Sequence, residues 1–275
     1  MTEFMELFDT HFHLHGEDDI AGFMERTHSD LLLAAKDFRQ PPDRLLMLCA
    51  GSNYAESLKA MEFARQVKEG YFSCGVHPHD AEEFLANEEP DFAVFKDEEK
   101  LVAIGEIGLD YFYDYSDEGR QKKVMEKFLA LALEWDLPAM LHLRDKENRR
   151  QAYADALAML TDFAHAGGRF VIHCYAGNCE DAEKFLALGG YFGVTGMYTF
   201  KAAANIRSSI AVIPDEKLLI ETDSPYLAPV PYRGRSNTPG MVALVAQALG
   251  ADRQMTPEDA AQLFADNGKR FYGIK

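Results

Sequence analysis

The first residues whose types and spacing could do chemistry lie in the segment Asp9-Thr-His-Phe-His-Leu-His. The apolar residues before it predict a strand that runs into its C-terminal loop. His11 and His13 are two positions apart, so their side chains project to the same side of that strand. Imidazole is a common ligand of divalent transition metals, and this pair could supply half of a four-ligand site. The alternative is a pair of polar histidines in a turn.

Further ionisable residues follow other apolar runs in the same way. They are His77 and His79, Glu106, His142, His173 and Asp223. Seven of the nine histidines lie at such ends, and only His28 and His165 fall in predicted helices. A single histidine of this kind is usually a structural residue, but the repeated placement favours a metal site.

The number of candidate ligands suits two divalent ions, of Zn, Mn or Mg. The assignment is His11, His13 and Asp223 for one ion, His142 and His173 for the other, and Glu106 between them as a bridge. Two neighbouring ions can activate a hydroxide and hold the attacking and leaving oxygens of a displacement reaction. Asp223 can also accept the proton, so Asp223 and Glu106 are the predicted catalytic residues.

The elements that must position these side chains follow a regular alternation. Short runs that are apolar throughout alternate with longer amphipathic segments; the runs are 4–8, 45–50, 71–76, 101–105, 139–143, 169–173, 191–195 and 217–221. Eight such strands alternating with helices predict a single TIM (β/α)8 barrel domain over residues 1–275, with catalytic residues at the C-terminal ends of the strands. An open doubly wound sheet is the alternative, because periodicity does not reveal closure.

Two features of the helical segments can be compared with the structure. Residues 119–136 place Val124, Phe128, Leu131 and Trp135 on one stripe. Helices over about 239–249 and 257–267 are expected to pack against the barrel after the eighth strand, the second starting at Thr256-Pro-Glu.

Basic residues near the predicted strand ends are candidates for substrate binding. Arg233 and Arg235 follow the eighth strand, and Lys201 follows the seventh. Loops at these positions often bind phosphate in this fold, and arginine suits phosphate or carboxylate. Solvated surface residues are the alternative, but beside a metal site we interpret them, with His77 and His79, as substrate contacts.

Composition limits the partners and the compartment. The net charge of −17 over 275 residues gives no indication of a nucleic-acid partner. Four cysteines without a Cys-x-x-Cys pair indicate reduced, buried thiols, and the acidic N-terminal segment does not look like a signal peptide. No apolar run is long enough to span a membrane. These features predict a cytoplasmic protein; they are compatible with a monomer but do not determine the oligomeric state.

The ordered motifs resemble those of the TatD-type metal-dependent hydrolases of the amidohydrolase superfamily. The matching segments are Asp9-Thr-His-Phe-His-Leu, Gly75-Val-His-Pro-His, Gly105-Glu-Ile-Gly-Leu-Asp-Tyr, Leu141-His-Leu-Arg, His173-Cys-Tyr, Thr199-Phe-Lys, Glu221-Thr-Asp-Ser-Pro-Tyr-Leu-Ala-Pro and Arg233-Gly-Arg-Ser-Asn. The resemblance implies a TIM barrel, the same six metal ligands, and deoxyribonuclease activity, typically 3′→5′ exonuclease. The sequence departs from the family at Phe12, His15 and Thr238, where Cys, Asp and Glu are common, and we expect these positions to line the mouth of the site.

The resemblance and the metal ligands together lead to one main hypothesis. It is a metal-dependent deoxyribonuclease acting on DNA ends, with Tyr111 or Tyr226 stacking on a terminal base. The fourth strand has no lysine near its end, which argues against the relatives that bridge their metals with a carboxylated lysine. A hydrolase of a small amide, lactone or phosphoester is the alternative, since the same centre serves these bonds. A non-catalytic metal-binding protein is a third reading.

Overall fold

The computed structural model describes residues 5–87, 90–147 and 149–275. In it, eight parallel strands are hydrogen-bonded in chain order. They are β1 (Glu6–Phe12), β2 (Arg44–Cys49), β3 (Gly70–Cys74), β4 (Leu101–Asp110), β5 (Ala139–Arg144), β6 (Phe170–Ile172), β7 (Tyr191–Val194) and β8 (Leu218–Ile220). Residues 1–4, which include the start of the first predicted run and of the acidic N-terminal segment, lie outside the described residues.

The sheet closes between its first and last strands. Phe12 and Ser224 form a parallel bridge. The amide of His13 donates to the carbonyl of Ser224 at 2.8 Å, and the amide of Asp223 donates to the carbonyl of His11 at 2.9 Å. The predicted barrel is therefore confirmed, and the open doubly wound sheet was the wrong alternative.

Helices connect the strands and cover the outside of the barrel. Within the described residues they are α1 (Ile20–Ala34), α2 (Tyr54–Gln66), α3 (Ala81–Ala86), α4 (Glu118–Glu134), α5 (Gln151–His165), α6 (Cys179–Ala187), α7 (Ala204–Ala211), α8 (Val242–Asp252) and α9 (Pro257–Tyr272). None of them is both long and apolar enough to cross a membrane. The strands they cover are almost entirely buried, which explains their continuous apolar runs.

Helix α4 buries a slightly different stripe from the predicted one. Val124 and Phe128 are buried as expected, but Leu131 and Trp135 are only partly buried. The buried face also includes Met125 and continues to Leu129 and Ala132, so it is rotated away from the 131–135 edge. Asp117 precedes the helix and caps it, since its carboxylate accepts hydrogen bonds from the amides of Gly119 and Arg120.

The two C-terminal helices pack on the barrel as predicted. Helix α9 begins after Thr256, whose hydroxyl oxygen accepts from the amide of Asp259 at 3.1 Å, and it is longer than the predicted segment. The side-chain amide of Asn267 donates to the carbonyl of Leu218 at 2.9 Å. Gly268 faces Phe8, and a Cβ atom there would lie 2.5 Å from that ring. Helix α9 is therefore in close contact with both β1 and β8.

Strand β4 is longer than the predicted run 101–105 and contains an irregularity that matters for the site. Its register against β5 shifts between Ile104 and Ile107. Gly108 has a positive φ of 142° and lies so close to β5 that a Cβ atom would collide with the carbonyl of His142. A glycine inside a strand often marks a bulge or a close backbone approach, and Gly108 has that role here. As a result Glu106 lies inside the strand rather than in the loop after it.

The cysteines are only partly as expected. Cys49 and Cys74 are buried, whereas Cys174 and Cys179 are partly exposed. All four are free thiols. Cys174 follows β6, and Cys179 is the first residue of helix α6, with its thiol 3.5 Å from the carbonyl of Ser208 in α7.

Candidate functional site

Four ligand atoms from three strands form a first group at the C-terminal end of the barrel. His11 Nε2 and His13 Nε2 are 3.0 Å apart. Glu106 Oε2 lies 3.6 and 3.3 Å from these two nitrogens, and Asp223 Oδ1 lies 3.7 Å from each. Four ligands around one ion with bonds of 2.0–2.2 Å would be spaced by roughly 3.3–3.6 Å. The spacing therefore suits one metal ion.

A second group forms around the other oxygen of the same glutamate. Glu106 Oε1 is 2.9 Å from His142 Nδ1 and 3.1 Å from His173 Nε2. His77 Nε2 lies 3.7 Å from this oxygen, although the sequence placed His77 among the substrate contacts. Because each oxygen of Glu106 faces a different group, this carboxylate can bridge two ions.

The outward nitrogens of the first histidine pair have partners that can only accept, so the inward nitrogens are free to act as metal ligands. His13 Nδ1 lies 3.2 Å from the carbonyl of Ala50, to which it donates. His11 Nδ1 lies 2.8 Å from the sulfur of Met140, a weak acceptor. When both Nδ1 atoms donate and both rings are neutral, as in metal ligands, two Nε2 lone pairs face each other at 3.0 Å. That arrangement is repulsive unless a cation lies between them, so the ligands fit a metal ion.

Glu221 supports the second group from behind. Its Oε1 lies 3.3 Å from His173 Nδ1 and accepts the amide of Cys174 at 2.5 Å. Its Oε2 is 3.5 Å from the hydroxyl of Thr10. A buried carboxylate behind a ligating histidine fixes the ring and makes its other nitrogen a better ligand.

Asp110 has the same kind of role at the end of β4. Its Oδ2 lies 2.9 Å from both His142 Nε2 and His79 Nε2. Its Oδ1 accepts from the amides of Phe112 and Tyr113 at 2.9 and 3.1 Å. His79 is thus held beside the ligand groups without joining them. Burial acts to raise the pKa of Asp110, but hydrogen bonds from His142 and His79 hold it below the usual value.

A buried polar contact between β1 and β8 positions Asp223. Asp9 accepts from the hydroxyl of Thr222 at 2.6 Å and from its amide at 2.8 Å. The side-chain amide of Asn237 donates to the carbonyl of Thr222 at 3.1 Å. Asp223 follows with a positive φ of 54°, which turns its carboxylate toward His11. Burial raises the pKa of Asp9 well above its usual value, against the hydrogen bonds from Thr222.

The two candidate catalytic carboxylates differ in their electrostatics. Burial alone would raise the pKa of Glu106, but His173, His77 and the other imidazoles hold it well below the usual value. Burial raises the pKa of Asp223 to about 6, against the lowering effect of His173. Glu106 is therefore a fixed negative charge surrounded by nitrogen ligands, which is the chemistry of a cation site.

The predicted basic contacts lie in loops at the same end of the barrel. Lys201, Arg233 and Arg235 are exposed. The guanidinium of Arg233 lies 4.4 Å from the ring centre of Phe200, which brings the loops after β7 and β8 together. Within residues 5–87, 90–147 and 149–275, none of the three cations has an ion-pair partner. They are free to contact an anionic substrate, and that role stays a prediction.

The three residues that differ from the family pattern, Phe12, His15 and Thr238, do not all lie at the mouth of the site. Phe12 is fully buried against Phe63, so the expectation that it lines the mouth was wrong. The ring of His15 stacks on His13 at 4.8 Å, and Thr238 donates to a carboxylate oxygen of Asp30 at 2.8 Å. His13, His15 and Thr238 line a cavity of about 120 Å³ beside the first ligand group.

Of the two tyrosines expected to stack on a base, only one is available. Tyr111 is 2% exposed and donates from its hydroxyl to Asp155 at 2.9 Å, so it cannot meet a substrate. Tyr226 is 53% exposed and lies 6.0 Å from His15. Asp110 and Glu221 were not predicted to be site residues. Both lie at or just after the ends of predicted strands within the ordered motifs, and that position could have identified them as site residues.

Comparison with known proteins identifies the family of the chain. The sequence profile described as TatD related DNase matches residues 8–273. The metal-dependent hydrolase YabD of Bacillus subtilis is 34% identical over 98% of this chain and 99% of its own length. The protein named 3′-5′ ssDNA/RNA exonuclease TatD of Cronobacter sakazakii is 35% identical over 80% of this chain and 87% of its own.

A solved structure gives the same result for the fold. The TatD homologue YJJV of Escherichia coli superposes with a TM-score of 0.78 at 26% identity, covering 98% of both chains. The resemblance seen in the motifs is thereby confirmed along nearly the whole chain. The chain belongs to the TatD-related DNase family and is a metal-dependent hydrolase that acts on ester bonds.

Proposed function

We propose that this hydrolase is a 3′→5′ exonuclease that removes nucleotides from single-stranded DNA, and that RNA ends enter the same site. The main support for this proposal is the position of Glu106, whose two carboxylate oxygens each face a separate group of imidazoles. Support for the substrate comes from relatives named as ssDNA/RNA exonucleases. The small amide, lactone or phosphoester substrate is not favoured, since no described feature selects it. A non-catalytic role is excluded by the family's hydrolase activity.

We propose two divalent ions, of Zn, Mn or Mg, in the two ligand groups. The first would be held by His11, His13, Glu106 and Asp223, and the second by Glu106, His142 and His173, with His77 as a further ligand instead of a substrate contact. When bound, such ions polarise a phosphoryl oxygen and make a water a better nucleophile.

The chain's own residues then bind the phosphate and move the proton. Asp223 has the more exposed of the two site carboxylates, at 16% against 3% for Glu106, so its oxygen is the one that an attacking water reaches. It accepts the proton from that water. Lys201, Arg233 and Arg235 hold the phosphate from the rim, and His79, fixed by Asp110, contacts it from the opposite side. The cytoplasmic location, the monomeric state and the single domain over residues 1–275 stay predictions.

The test uses a 5′-labelled single-stranded DNA oligonucleotide with Mg²⁺ or Mn²⁺. We expect a ladder that shortens from the 3′ end, that is lost with EDTA and with Asp223→Asn, and that is blocked by phosphorothioate linkages at the 3′ end. Asp162→Asn, on the exposed face of α5, is the matched control and should cleave like wild type. A parallel RNA oligonucleotide tests the second substrate. An intact oligonucleotide together with rapid cleavage of bis(p-nitrophenyl) phosphate would refute the exonuclease.

A further inference from the structure

The loop between β4 and α4 exposes an unusual number of aromatic side chains. Tyr113 is 38% exposed, Tyr115 is 64% exposed, and Phe112 is 40% exposed. By contrast, Tyr111 next to them is buried in the protein. Three neighbouring exposed rings form a contiguous apolar surface, and such surfaces often mark a binding site.

An arginine side chain lies over two of these rings. Arg144, at the end of β5, has its guanidinium carbon 4.4 Å from the ring centre of Phe112 and 4.9 Å from that of Tyr113. Its side chain is exposed, and among the residues that the structure describes it has no carboxylate partner. Aromatic faces therefore orient this cation while its N–H edge stays free.

The rings adjoin the second ligand group. The ring of His79 is 4.7 Å from that of Tyr115 and 5.4 Å from that of Tyr113. Through Asp110, His79 is linked to His142 by two contacts of 2.9 Å. The rings therefore lie beside the ligand groups, where the bases next to a phosphate held by those groups can reach them.

We propose that Tyr113, Tyr115 and Arg144 form an aromatic platform on which bases of a single-stranded nucleic acid stack, next to the phosphate being cleaved. This inference rests on the proposed exonuclease function and explains how the site would select single-stranded substrates. Aromatic rings combined with arginine are a common means of binding single strands, because every base offers a flat face. Bases in a duplex are already stacked on their neighbours, so the platform selects single-stranded ends.

The overall charge makes this platform important for affinity. A chain of net charge −17 gains little from long-range attraction to phosphates. Short-range stacking then adds to the binding free energy that the proposed metal ions and the few cations of the rim can supply. The acidic Asp114 in the same loop faces Lys146 at 3.2 Å, so its charge is partly compensated.

Binding is measured by fluorescence anisotropy with a labelled single-stranded oligonucleotide and Mn²⁺, in the Asp223→Asn background that prevents cleavage. The double variant Tyr113→Ala, Tyr115→Ala should raise Kd by about tenfold or more, as expected when stacked bases lose their aromatic partners. Tyr113→Phe with Tyr115→Phe keeps the rings and should retain the affinity. Leu133→Ala, at a site of equal 38% exposure on α4, is the control and should leave Kd unchanged.

An oligonucleotide with abasic sites at its 3′ end makes the test specific for stacking. The protein with both tyrosines intact should bind this oligonucleotide more weakly than the normal strand. The Tyr113→Ala, Tyr115→Ala variant should show no additional loss of affinity for it. An unchanged Kd of the alanine pair for the normal strand would overturn the platform. So would a protein dimer that is dispersed by the same pair in sedimentation, since a second copy of the chain would then cover the rings.

The outcomes separate this inference from the function on which it rests. A Kd shift without any cleavage of oligonucleotides would leave the platform and remove the exonuclease. Cleavage from the 3′ end without a Kd shift would support the exonuclease and refute the platform. The melting temperature and the metal content of each variant, matched to wild type, show that a loss of affinity does not come from an altered fold or metal site.

Discussion

The contact between Glu221 and His173 makes a quantitative prediction about metal binding. In Glu221→Gln, the remaining side-chain carbonyl can still accept the amide of Cys174, and the new amide group can donate to the hydroxyl of Thr10. The substitution therefore removes a negative charge 3.3 Å from His173 Nδ1 without leaving a buried group unpaired. Its effect should be almost purely electrostatic.

The size of the effect follows from the loss of that charge. Removing the carboxylate behind a ligating histidine typically lowers metal affinity by about 10- to 100-fold, or about 1.4–2.8 kcal/mol. The free energy of unfolding of the metal-free protein should change by about 1 kcal/mol or less, because the hydrogen bonds are kept in neutral form. Metal binding should therefore be weakened more than the fold.

The assay is a calorimetric titration of metal-free protein with Mn²⁺ or Zn²⁺ in the presence of a competing chelator. Glu216→Gln is the matched control, since Glu216 is exposed on the opposite end of β8. Turnover measured at limiting metal should fall with the affinity and recover when metal is added in excess. If Glu221→Gln binds metal as tightly as Glu216→Gln, Glu221 does not support the site and the reasoning fails.

Further predictions concern the supports of the same site. Gly193→Ala should weaken metal binding as Glu221→Gln does, because its Cβ atom would lie 2.5 Å from Glu221 Cδ; unchanged affinity in the same titration would contradict this. Thr222→Val leaves Asp9 without its hydroxyl partner and should lower the free energy of unfolding in urea by about 1–3 kcal/mol; a smaller change would show that the pair does not hold the barrel closed. Tyr111→Phe loses one hydrogen bond and should cost about 0.5–1.5 kcal/mol in the same assay, with Kd for oligonucleotides unchanged. Dialysis against EDTA should abolish cleavage and lower the melting temperature, and Mn²⁺ should restore both; activity that survives chelation would contradict metal dependence.

The sequence was sufficient to predict the barrel and to choose the residues that converge. Continuous apolar runs followed by histidine or a carboxylate indicate buried parallel strands with polar ends, and parallel strands bring those ends together. The sequence placed His11, His13 and Asp223 at the same end of the strands, and the closed barrel brings Asp223 next to the two histidines. The closure between β1 and β8 required the structure, because no local pattern reports contacts between distant strands.

The remaining differences have local physical reasons. Strand β4 was predicted too short because Gly105 and Gly108 resemble a strand end, whereas they form a bulge. His77 was placed with the substrate because its loop follows β3, and which loop residues turn inward depends on tertiary packing. The aromatic loop after β4 gave no sign of which ring is buried, since Tyr111 and Tyr113 have the same side chain and only their neighbours differ.

The contact between Asp9 and Thr222 joins residues 213 positions apart in the chain. Closing so long a loop is entropically costly, and contacts of this kind form late in folding. The first ligand group contains residues from both sides of that contact, so an incompletely folded chain has no complete site for the ion. An ion that binds only the closed barrel shifts the folding equilibrium toward it. A higher metal concentration should therefore raise the free energy of unfolding as well as the fraction of active protein.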